Sequence, residues 1–136
     1  MTKIVGNDGE LLGIVDSLHT CVDPLEFITD PKQDIQVAKF LRQTGDNLKP
    51  HAHLYRPRVI SQTQEVLFVF RGLLKLVVYG NDRRVVHQQH LRPGDFYTYL
   101  AGGVGYEVIQ GPAAMLEVKA GSYKVKSDSE DRELIK

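Results

Sequence analysis

The chain has no tryptophan, one cysteine and no apolar run approaching the roughly 18 residues that would cross a membrane. Cys21 has no internal disulfide partner, which fits a reducing, cytoplasmic compartment. Residues 1–10 contain no apolar stretch of the kind a secretion signal carries, so neither export nor membrane insertion is expected. An excess of either charge is also missing. Seventeen Lys and Arg balance seventeen Asp and Glu, and nucleic acid is therefore not expected as a partner, since phosphate backbones demand a basic surplus. There is no internal repeat and no low-complexity block. With 136 residues, 42% of them hydrophobic, one domain is expected. Such a chain buries roughly two-thirds of its unfolded surface without a disulfide or metal staple.

Short β-rich segments alternate with turn signals. Residues 3–5 and 11–15 flank Gly6-Asn7-Asp8-Gly9, a hairpin signature. Residues 26–29 form a candidate strand ending at Asp30-Pro31, and residues 36–41 read as a strand or a short helix, the Gly45-Asp46-Asn47 turn after them favouring strand. Residues 51–55 and 59–60 read as one strand interrupted at Pro57. Residues 65–70 and 73–79 are rich in branched and aromatic side chains and meet at Arg71-Gly72, which reads as a turn. Further strands are expected over 84–91, 96–100, 105–109 and 114–118, with Arg92-Pro93-Gly94-Asp95 and Gly111-Pro112 between them. Strands about every ten residues, with no long amphipathic helix, predict an all-β antiparallel sandwich or barrel.

Residues 65–70 carry apolar side chains on both faces: Leu67 and Val69 on one, Val66, Phe68 and Phe70 on the other. A strand with one wet face alternates, so both faces need cover, from the N-terminal strands or from a second subunit. A homodimer is expected on this ground. From Lys124 onward the chain is charged and reads as a solvated tail, the alternative being a segment that docks through Leu134-Ile135.

The constellation with chemical potential begins at His51-Ala52-His53. In a strand, residues i and i+2 share a face, so both imidazoles would enter one space as half of a metal site. Gly45, His51, His53, Glu65 and Gly72 stand in the pattern Gly-(x)5-His-x-His-(x)11-Glu-(x)6-Gly, followed by Pro93-Gly94-Asp95.

At these residues the chain resembles the cupin superfamily, whose first motif has this order with a shorter gap before the Glu. Residues 63–67, 102–107 and 117–123 look like those of small bacterial cupins that often accompany surface-polysaccharide genes. The resemblance covers residues 45–121. It implies an antiparallel double-stranded β-helix, the jelly-roll barrel, divided into N-terminal strands (1–44) packed on the barrel or on a dimer partner, a barrel core (45–123) and a charged tail (124–136). It also implies a divalent metal, Zn, Ni, Mn or Fe, held by His51, His53 and Glu65. The family's fourth ligand, a His, aligns with Val104, so the set is incomplete.

The expected ligand is a small polar metabolite such as a sugar or sugar nucleotide. His51 or Glu65 would be the catalytic acid or base of an isomerase or epimerase. Tyr55 shares the histidines' strand face. Arg56 and Arg58 could grip a phosphate or carboxylate, or simply face solvent. Tyr97 and Tyr99 share a strand face and could stack on a sugar or pack in the core. Glu107 could serve as an acid or base if it points inward. Non-catalytic ligand binding or sensing, and a structural dimer with a degenerate metal site, are the other readings.

Overall fold

A computed structural model describes residues 1–121 and 133–136. Most of the tail expected from Lys124 onward therefore lies outside the described residues. Among those described there is no α-helix, only a single 3-10 turn at Leu18–Thr20. The strands are β1 (Thr2–Val5), β2 (Leu11–Ser17), β3 (Glu26–Phe27), β4 (Ala38–Lys39), β5 (Glu65–Tyr79), β6 (Val85–Leu91), β7 (Asp95–Tyr99) and β8 (Gly103–Lys119). All pairings are antiparallel. The fold is all-β, as the turn spacing predicts.

The main sheet runs β1-β2-β7-β5-β6, with β8 also paired to β5. The first half of β5 lies between β7 and β8, and its second half between β6 and β8. This corrects the expected turn at Arg71-Gly72. The strand runs through that point as a bulge, and the register on β8 slips between Val69 and Leu74. The two breakers, Gly72 and Gly111-Pro112, belong to paired strands and distort the ribbon without ending it. Gly72 adopts φ +92°, and a Cβ there would lie 2.9 Å from the Ala113 backbone, so glycine is needed for close approach as well as for conformation. For the same reason residues 105–109 and 114–118 are one strand, not two.

The two faces of the early β5 segment are both covered. Leu67 and Val69 join Leu12, Leu74, Leu76, Val78 and Tyr97 in the main core. Each such aliphatic side chain contributes about 1.5–3 kcal/mol on full burial. Val66 and Phe68 face Ile14, Ile28, Phe96 and Leu100 in a second core. The cover there is the chain's own N-terminal connector, with Ile28, Ile35 and Val37 laid across the sheet. Phe70 alone stays outside, 72% exposed.

The connector is fastened by buried polar groups. Lys39, 3% exposed, places its Nζ 2.9 Å from Asp16 Oδ2 on β2 and 3.3 Å from Glu26 Oε2 on β3. Burial opposes the charge on Asp16, but the Lys39 hydrogen bond and charge, with the Ser17 amide, outweigh it and hold its pKa below the usual value. The buried Gln64 accepts the Ile35 amide at 3.0 Å and donates to Gln33 Oε1 at 2.7 Å. Thr29 Oγ1 accepts from the Val37 amide and donates to the Ile35 carbonyl.

The strand expected over residues 51–55 and 59–60 is absent. Pro50 and Pro57 have no N–H to give a ladder, and the residues between them pair with no strand. Residues 41–63 form an exposed excursion between the connector and β5.

Candidate functional site

The inner face of the sheet opens, at the Glu65 end of β5, into a cleft of about 520 Å3. Strand register builds its floor. Glu65 stands directly opposite Tyr99 on β7 and opposite Lys119 on β8, giving a row Tyr99–Glu65–Lys119 across three strands. One step inward lies the row Tyr97–Leu67–Glu117. Val104 enters from the other half of the β5–β8 ribbon, opposite Val78. The β5–β6 hairpin contributes Tyr79 and Arg83, and Glu133–Ile135 form part of the rim.

The tyrosines are fixed structural groups. Tyr97 is 1% exposed, and its hydroxyl donates to the Leu12 carbonyl at 3.4 Å. Burial, with Tyr99 and Glu65 nearby, pushes its pKa far above the ordinary phenol range. Tyr99 donates to the Gly102 carbonyl at 2.8 Å. Burial and then Glu65 raise its pKa, while Arg83 opposes them. Both rings therefore stay neutral at physiological pH, as donors and not as bases. The charged groups lining the cleft are the Glu65 and Glu117 carboxylates and the cations Lys119 and Arg83.

The sequence-predicted residues divide sharply. Glu65, Tyr99 and Val104 line the cleft together. Tyr97 sits in the core beneath it. His51, His53, Tyr55, Arg56 and Arg58 all lie in the exposed 41–63 segment, and Glu107 is on the outward part of β8 opposite Lys75. The shared strand face expected for the imidazoles does not exist. Their rings do meet, edge to face with centroids 5.2 Å apart, but on the surface, and His51 Nδ1 is engaged by the Lys49 carbonyl at 3.0 Å. Among the described residues no three His, Cys, Asp or Glu side chains converge as a metal requires. The donor set that the resemblance implies for Zn, Ni, Mn or Fe is not brought together, because His51 and His53 lie on the exposed 41–63 segment while Glu65 lines the cleft.

The motif glycines carry local geometry. Gly45, Gly72 and Gly94 all take positive φ. At Gly94 a Cβ would fall 2.3 Å from His19 Nε2, which contacts the Pro93 carbonyl at 2.8 Å. His19, which reads from sequence as part of a polar connector, holds this turn.

Sequence reasoning missed Tyr79, Arg83, Glu117 and Lys119. The last two needed the β5–β8 register. Arg83 had a local signal, because Gly80-Asn81-Asp82-Arg83 is a turn whose last position calls for left-handed backbone. No protein-family model, curated protein or solved structure matches this chain. Among the described residues no helix is long and apolar enough to cross a membrane.

Proposed function

We propose that this chain is a cupin-like small-molecule-binding protein whose ligand, a small polar metabolite, occupies the cleft between Glu65, Tyr99, Val104 and Lys119. The cleft itself carries the reading. About 520 Å3 lies within the range of small-ligand sites, and a few charged groups converge on it from a rigid sheet. The cupin-like order of Gly45, Glu65, Gly72 and Pro93-Gly94-Asp95 along an all-β chain supports a jelly-roll of the cupin kind. Glu65 is the group placed to hold or move a proton of the ligand. The test is a ligand-observed NMR screen of sugars, sugar acids and sugar nucleotides. Binding signals are expected to vanish in Val104→Phe, which fills the cleft, and to persist in Tyr55→Ala. Signals that survive Val104→Phe in a folded protein would place the ligand elsewhere.

We further propose that the protein works as a homodimer. Among the described residues the outer edge of β8 pairs with no strand, and it carries Tyr106, Val108, Ile109, Leu116 and Val118, each about half exposed. A long apolar edge is a template for another strand. Light scattering at micromolar concentration is expected to give twice the chain mass, and Leu116→Lys to halve it. A monomeric parent protein would end this reading.

A further inference from the structure

Arg83 is the cleft's least expected residue. The β5–β6 hairpin closes with the Gly80 amide donating to the Arg84 carbonyl at 2.8 Å and the Arg83 amide donating to the Gly80 carbonyl at 2.9 Å. This geometry forces Arg83 to φ +67°, the only non-glycine at positive φ among the described residues. Glycine or asparagine is at ease in that position, and arginine is strained. Strain of this kind persists where a side chain is needed, and this side chain lines the cleft.

Its partner is equally telling. Arg83 Nη2 lies 3.1 Å from Glu133 Oε2. The adjoining Ile135 reaches Gly103, where a Cβ would come within 2.4 Å of its Cδ1. Residues 133–135 thus lay a carboxylate and an apolar side chain against the cleft of the same chain. The ion pair is open to water, with the arginine 45% and the glutamate 72% exposed, so it holds weakly. The Glu65 and Glu117 carboxylates line the same cleft and are acceptors for hydroxyl groups.

We propose that the cleft takes a small hydroxy carboxylic acid, whose carboxylate replaces that of Glu133 on Arg83 while its hydroxyls face Glu65 and Glu117. Residues 133–135 are then an intramolecular competitor that sets the affinity of the site. This rests on the reading of the cleft as a ligand site, and adds to it the ligand's charge and a built-in competitor.

Isothermal titration of the full chain with D-glucuronate, D-glucose and inorganic phosphate tests it. Glucuronate is expected to bind Glu133→Gln about 3–5-fold tighter than the parent, the gain from removing an exposed ion pair. It is expected to bind Arg83→Gly at least 10-fold more weakly. Arg83→Gly should melt no lower than the parent, because glycine relieves the backbone, so its loss of binding is not a loss of fold. In the parent, glucuronate should shift the amide resonances of residues 133–136 toward their positions in Glu133→Gln. Glucuronate affinity indifferent to both substitutions would overturn the proposal. So would phosphate binding at Arg83 as tightly as glucuronate. If glucose and glucuronate bind equally in every variant, the cleft stands and the carboxylate assignment falls. If none of the three binds any variant and the Val104-dependent screen is also blank, the site reading falls with it.

Discussion

Two neighbouring stretches, residues 23–40 and 41–63, are both poor in regular structure, and they behave in opposite ways. The first lies flat on the sheet, with Ile28 and Thr29 buried and Lys39 almost inaccessible. The second leaves Leu54 and Val59 90% exposed. Apolar content does not separate them, since both carry several large aliphatic or aromatic side chains. The difference is that the first supplies buried polar anchors with partners: Lys39 for Asp16, Ile35 for Gln64, Thr29 for Val37. Among the hydrogen bonds described, the second is tied to the first only at its two ends, by the Leu41 amide on the Asp23 carbonyl and by Ser61 and Gln62 on Asp34. A connector is ordered when its backbone and charged groups find partners on a preformed face, because the unpaired alternative is costly once water is excluded.

The most disruptive way to break this contrast is Lys39→Met. It leaves the buried Asp16 with only the Met1 ammonium, 3.8 Å away, as a counter-charge, and the expected cost approaches the about 3–5 kcal/mol of a broken buried pair. Urea unfolding should show that loss, with early proteolysis in the connector. A cost below about 1 kcal/mol would mean that the connector is held by its apolar contacts alone.

Acid should loosen the same anchor less severely. Asp16 has a folded pKa below its unfolded value of 3.8. Its contribution is therefore complete above the unfolded pKa and lost as pH falls through the folded one. For Lys39, burial opposes the charge but Asp16 and Glu26 outweigh it, raising its pKa above 10.5. That contribution is present below 10.5 and lost as pH rises through the folded value. Stability should hold between these limits, and the low-pH loss should shrink in Asp16→Asn, measured by denaturant midpoint against pH.

The smallest effects belong to the second stretch. His51→Ala, His53→Ala and Tyr55→Ala should each change stability by less than about 0.5 kcal/mol, as exposed side chains do. Leu54→Ser and Val59→Ser should do the same in a chain held monomeric by Leu116→Lys. A larger loss in the parent chain than in the Leu116→Lys background would point to a second copy covering this segment.

The residues themselves determined the all-β class, the Gly6–Gly9 hairpin and the double-faced character of the early β5 segment, because turn chemistry and side-chain alternation act over a few positions. The family resemblance, not local pattern, put Glu65 and Val104 in one expected site with His51 and His53, and of these four only Glu65 and Val104 line the cleft. Local pattern could not place His51 and His53. A pair at i and i+2 converges only if a strand exists to orient it, and Pro50 and Pro57 leave that stretch without a ladder. Nor could it distinguish a bulge from a turn at Gly72, since the same left-handed glycine serves both and only β8 running alongside keeps the strand continuous. The cleft was decided wholly by the tertiary structure. Glu65 meets Lys119 across 54 positions, and Arg83 meets Glu133 across 50. Contacts at that separation come from sheet register, which the whole set of strands settles together and no short segment encodes.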